Sequence, residues 1–294
     1  MGIFQQTIEI AAIKKRNRFT LFEQLLALLD AQMKEPTSFG WYHLLCLAIV
    51  VALCALVISK RKIFTPHRIK LALGITAAVL LTFEVYKQFN YAYNVEKDSW
   101  GYRWYIFPFQ FCSTPMYVML AAAFLKEGKA QRSLYDFLAT YGFFAGLAVM
   151  LYPDDVFIET IGINVQTMVH HGMMVVVGVF MYATGAVKLS HKTVLYALPT
   201  FGTLVAIALI ANVLYGNFGD PDQTFNMFFI SPYYDCTLPV LSVINEKMPY
   251  PIFLACYLFG FTAAGYIVSL LPMAVIKVNA KLQSKMKSKN VKFS

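Results

Sequence analysis

Residues 107–125 read FPFQFCSTPMYVMLAAAFL. This apolar run is about as long as a bilayer is thick, so it reads as a membrane-spanning helix. Near its start it carries Gln110, Cys112, Ser113 and Thr114. Hydrocarbon holds no water to satisfy such groups, so they are expected to face other helices or a wet cavity. A second apolar stretch, TMVHHGMMVVVGVFMY at 167–182, places His170 and His171 inside another span. A thiol and an imidazole, each near one end of a spanning helix, form the constellation that suggests chemistry.

Composition sets the class. Of 294 residues, 58% are hydrophobic and 14% charged, against about 25% charged in soluble domains. Mean hydropathy is +0.56. Several apolar runs approach 20 residues, which predicts an all-α, polytopic membrane protein. No polar region is long enough for a second core, so one membrane domain is expected. The formal charge of +9 fits a chain whose basic residues set orientation and touch anionic lipid headgroups, without any nucleic-acid partner. The five cysteines, Cys46, Cys54, Cys112, Cys236 and Cys256, follow neither a metal-ligand spacing nor a disulfide framework. No metal or other cofactor is implied.

Outward from the central stretch, spans are expected at about 41–59, 69–87, 107–125, 134–152, 161–186, 193–215 and 250–276. Residues 1–40 form an N-terminal tail with the basic cluster Lys14, Lys15, Arg16 and Arg18, then a helix over 19–33. That helix carries Phe19, Phe22, Leu25, Leu26 and Leu29 on one face; it is too short and too charged to span, and suits an interface. No apolar stretch with a cleavage site follows the basic cluster, so no cleavable signal peptide is expected. Residues 41–276 make a bundle of about seven transmembrane helices, and 277–294 a basic tail.

Charge orients the layout. The stretches after spans one, three and five, with the tail and Lys70 at the very start of span two, hold sixteen of the 25 Lys and Arg, while Asp154, Asp155, Glu159, Asp220, Asp222, Asp235 and Glu246 lie in the opposite set. The positive-inside rule then predicts a cytoplasmic C-terminus. Cys112, His170, His171, Glu84, Asn212 and Asn226 all fall toward the opposite, outer face. Cys112 is about 8 Å deep and the histidines about 15 Å deep at a helical rise of about 1.5 Å per residue. A polar cavity opening to the outer leaflet is expected.

Helical spacing puts Asn164 and Thr167 on the His171 face and Gln166 on the His170 face, about 100° away. Asn164 with Thr167 is expected to orient His171, and Gln166 to orient His170. An imidazole beside Cys112 takes the thiol proton and returns one to a leaving group. Gln110, Ser113 and Asn226 are candidate oxyanion donors, and Glu84 marks the cavity rim. Three functions fit: acyl transfer through a thioester on Cys112, hydrolysis by the same pair with water as acceptor, and non-enzymatic transport or lipid binding along a path lined by Glu84, His171 and Asn226. No internal repeat of the transporter kind is visible.

At these residues the sequence resembles a known family. FPFQFC at 107–112 is similar to the LPLHLC-type segment of the YwaF-like integral membrane family, which includes the transmembrane protein 164 acyltransferases. His171-Gly172, Asn212, Phe225-Asn226-Met227-Phe228, Pro232 and Pro249-Tyr250-Pro251 resemble its later elements in order and spacing, over about residues 100–275. The resemblance implies six or seven packed helices and transfer of a fatty acyl group from a phospholipid to a lysophospholipid. It implies Cys112 and His171 as the acting pair, with His170 as the substitute. Membrane lipids are the implied substrates, with Gln110, Asn164, Asn212, Asn226 and Glu84 as candidate substrate-binding residues. The plasma membrane is the expected location. Where the bacterial pattern has a histidine two residues before the cysteine, this chain has Gln110.

Overall fold

The structure, a computed structural model, describes residues 20–94, 97 and 99–291. The basic cluster at 14–18 lies outside these residues. Helix α1 (Leu21–Leu29) opens at a capping box, with Thr20 accepting from the Glu23 backbone N–H while the Glu23 carboxylate accepts from the Thr20 N–H. Leu26 is buried and Leu21 and Leu25 are exposed. The chain after α1 pairs with the segment before the fifth spanning region: Met33 N–H donates to Glu159 O, and Ile161 N–H to Ala31 O.

Six helices are long and apolar enough to cross a membrane. They are α2 (Trp41–Lys60), α3 (Pro66–Ala92), α5 (Lys129–Leu151), α6 (Ile161–Ala183), α7 (Thr193–Phe218) and α9 (Tyr250–Val291). The apolar 107–125 stretch supplies only α4 (Thr114–Phe124), and α8 (Leu241–Lys247) is a short helix before α9. A two-strand antiparallel hairpin, β1 (Tyr93–Asn94) with β2 (Ser99–Trp100), links α3 to that stretch. A π-helical turn at Leu138–Gly142 interrupts α5. Helix α9 runs well past the expected end of the last span at 276.

The expected third spanning helix is therefore half helix and half unwound chain. It still crosses. At one end Gln88 Nε2 donates to Ile106 O at 2.9 Å; at the other Lys70 Nζ donates to Leu125 O at 2.6 Å. Residues 70 and 88 of α3 are about 27 Å apart along the axis, nearly the hydrocarbon thickness of about 30 Å. Pro108 and Pro115 explain the break. Proline lacks the N–H that a helix interior needs and biases the preceding residue away from helical geometry; it is accommodated in the first turn, where Pro115 sits.

Unwound backbone at this depth must find internal partners, and it does. Pro108 O accepts from Tyr117 OH, Gln110 O from Ser113 N–H, Phe111 O from the Thr114 hydroxyl, and Cys112 O is paired with His170.

Helix α6 is the hub. In its most apolar window 78% of residues are buried, against 6% for α2 at the periphery. Glycine lets α5 close on it. A Cβ at Gly146 would lie 2.7 Å from His171 O, and one at Gly178 would lie 2.6 Å from the Phe143 ring. Such close approach by small residues is how helices pack in lipid, where no hydrophobic force drives them together. The core joins Leu73 and Leu80 of α3, Met116 and Met119 of α4, Tyr141 of α5, Phe201 of α7 and Tyr257 of α9.

Candidate functional site

The ends of α3, α5 and α7 and the loops after them meet at one face, as the charge pattern predicts. There they enclose a cavity of about 420 Å³. Cys112, His170, His171, Glu84, Gln110 and Asn226 all line it. Six candidates drawn from four separate segments thus come together.

Cys112 is not inside a helix. It lies in the unwound turn two residues before α4 begins. The break also corrects the expected depths. Unwound chain advances further per residue than helix, so Cys112 reaches the level of the histidines. His170 Nε2 sits 3.0 Å from Cys112 O.

The two imidazoles are held by backbone carbonyls, where the helical stripes predicted side chains. His171 Nδ1 lies 2.8 Å from Thr167 O, and His170 Nε2 pairs with Cys112 O. A carbonyl only accepts, so each of these nitrogens carries the proton and donates. The other nitrogen of each neutral ring, His171 Nε2 and His170 Nδ1, is left with its lone pair. Both are buried without a hydrogen-bond partner, as is Glu84 Oε2. Three orphaned acceptors around one cavity are the mark of a site built for something other than its own side chains. The ring centroids are 5.5 Å apart. No hydrogen bond joins Cys112 Sγ to either ring among the described residues.

The amide candidates divide differently from expectation. Asn164 does not line the cavity; its amide accepts from Ile158 N–H and donates to Ile158 O, fixing the turn before α6. Asn212 is fully buried away from the cavity, with Met227 N–H at 2.7 Å from its Oδ1 and Met227 O at 2.9 Å from its Nδ2. Gln110 donates to Asn226 O and accepts from Phe228 N–H. Asn226 accepts from Ser231 N–H and donates to Asp235 O. Three amides therefore brace the 226–235 loop, which walls the cavity. The loop needs them, because Phe228 and Phe229 take positive φ of 60° and 57°. Such angles cost roughly 1–3 kcal/mol each in a residue with a side chain. Gln110 and Asn226 each commit the oxygen and one of two amide N–H groups to this bracing, whereas the Ser113 hydroxyl braces none of it, which favours Ser113 among the three oxyanion donors proposed from sequence.

Two groups were missed. Lys87 forms an ion pair with Glu84 at 2.8 Å and also lines the cavity; its i, i+3 spacing from Glu84 was the available signal. Asp136, buried in α5 with Arg132 at 3.5 Å, lies outside the cavity. No group of three His, Cys, Asp or Glu side chains is placed to hold a metal among the described residues.

A multi-pass helical membrane protein that encloses a thiol, two imidazoles and an ion pair in a cavity at one face is the class defined so far. The model of the TMEM164 family matches residues 38–270, and the chain belongs to that family. Comparison with curated proteins and with solved structures gave no match.

Proposed function

We propose that the chain is a lipid acyltransferase acting through Cys112 and His171. The supporting observation is the free lone pair of His171 Nε2 in the cavity that Cys112 lines, with the opposite nitrogen fixed by Thr167 O. This is the tautomer a general base needs. His171 Nε2 takes the thiol proton, and the sulfur attacks the ester carbonyl of a phospholipid. The C–O bond breaks, and the released lysolipid oxygen takes the proton back from His171. The acyl group now sits on Cys112 as a thioester. A second lysolipid hydroxyl gives its proton to His171 and attacks the thioester carbonyl. The C–S bond breaks and the proton returns to sulfur. Oxyanion stabilisation falls to the Ser113 hydroxyl and the Cys112 N–H. His170 is a positioning residue that holds the Cys112 turn.

In this reading the C-terminus is cytoplasmic, the cavity opens to the outer leaflet of the plasma membrane, and the basic tail meets anionic headgroups. The test is lipid profiling of cells expressing wild type, Cys112→Ala and His171→Ala, with labelling of Cys112 by a lipid-like electrophile. A shared change of acyl profile in both variants and His171-dependent labelling are expected. Identical profiles in all three would remove the proposal, and release of free fatty acid alone would convert it to hydrolysis.

A further inference from the structure

A second, larger hollow of about 940 Å³ lies between α5 and α9 under the 238–244 segment. Its lining is apolar: Phe144 from α5, Leu238 and Leu241 from the roof, and Cys256, Gly260 and Phe261 from α9. It runs from Pro251 to Ala264, which on one helix is about 20 Å. One leaflet of the hydrocarbon core is about 15 Å deep, so the groove has the length of a single lipid chain.

Two links join this groove to the polar cavity. Asp235 and Thr237 line the cavity, and the next residues, Leu238 to Leu241, roof the groove. One strip of chain is thus the wall between them. On the inner side, Phe261 lies edge-on to Phe111 with ring centroids 4.7 Å apart. Phe111 precedes Cys112, so the groove-lining Phe261 packs against the residue next to the candidate nucleophile. An ester carbonyl at Cys112 with its headgroup in the cavity would direct its hydrocarbon past the Phe111–Phe261 contact toward the groove.

We infer that the groove between α5 and α9 binds the fatty acyl chain of the lipid whose carbonyl reaches Cys112, and that Gly260 sets its width. This rests on the acyl-transfer reading for the carbonyl's position, while chain binding itself can be measured without turnover. A Cβ at Gly260 meets no atom within 4 Å, so a larger side chain there fills the groove without colliding with the protein.

The test uses the full-length protein in detergent micelles and a phosphatidylcholine carrying a diazirine at the far end of one acyl chain. Crosslinks are mapped by peptide mass spectrometry in wild type, Gly260→Trp, Gly260→Leu and Gly202→Trp. Gly202 is also exposed, on α7, and its Cβ likewise meets nothing within 4 Å, so it controls for bulk on a lipid-facing surface. Wild type and Gly202→Trp are expected to give saturable crosslinks within 251–264. Gly260→Trp should lose them about tenfold or more, with Gly260→Leu intermediate. In turnover, both Gly260 variants should shift products toward shorter chains by about ten- to a hundredfold, the range one pocket can discriminate. Unsaturable crosslinking, equal crosslinking in wild type and both Gly260 variants, or equal loss in Gly202→Trp would overturn the inference. The two readings fail separately. Groove crosslinks that respond to Gly260 while wild type and Cys112→Ala share one lipid profile would leave a chain-binding groove without acyl transfer. An active enzyme whose crosslinks and chain preference ignore Gly260 would sink the groove alone.

Discussion

Replacing Asn212 with leucine tests whether the cavity wall is held by buried amides. The side chain is fully buried and satisfies both the N–H and the C=O of Met227, itself fully buried. Leucine has nearly the same shape and leaves the Met227 N–H unpaired, while Met227 O keeps only the long bond from Ile230 N–H at 3.4 Å. The orphaned N–H costs about 1–3 kcal/mol. At about 2 °C per kcal/mol for a chain of this size, the melting midpoint of the detergent-solubilised protein should fall by about 2–6 °C. Asn217→Leu, five residues along the same helix, removes an exposed amide that bonds Val213 O and Tyr233 OH, and should stay within about 0.5 kcal/mol of wild type. Gln110 braces the neighbouring residues, so Gln110→Leu combined with Asn212→Leu should depart from additivity by about 0.5–3 kcal/mol. An Asn212→Leu protein melting within about 1 °C of wild type, or an Asn217→Leu protein falling as far, would refute the bracing argument.

Three further outcomes are expected. His171→Gln should lower acyl transfer by about 10²–10⁴-fold, while His170→Gln, which can still donate to Cys112 O, should cost far less; the comparison is read in initial rates at equal membrane abundance. Gly146→Ala places a methyl 2.7 Å from His171 O, so α5 and α6 must separate; activity should fall together with about 1–3 kcal/mol of stability, measured by turnover and thermal melting. The Thr20 backbone N–H, and then its hydroxyl, hold the Glu23 carboxyl below its ordinary value. Its contribution to the start of α1 is therefore complete above the unfolded carboxylate range and lost as pH falls through the lower folded value. The protection of α1 amides, measured relative to the intrinsic exchange rate at each pH, should fall on acidification, and Glu23→Gln should abolish that change.

The membrane class, the crossings and the shared polar face were legible in the sequence, because hydropathy and charge bias are properties of contiguous residues. So was the presence of Cys112, His170 and His171 around one cavity, since alternating crossings bring the same ends together. The amides were misread for a physical reason. A buried Asn or Gln looks the same in sequence whether it awaits a ligand or satisfies backbone, and Gln110 meets its partners 116 and 118 positions away.

By itself the sequence determined a bundle of apolar segments long enough to span and the end at which their polar residues gather. Tertiary structure decided how the 107–125 segment divides, into a carbonyl-rich turn and a half-length helix. Hydropathy favours one continuous span there. The prolines disfavour it, and the unwound form persists only because Tyr117, Thr114, Ser113 and His170 satisfy its backbone. Of these, His170 arrives from another span. That contact places Cys112 at a helix N-terminus at the depth of the histidines.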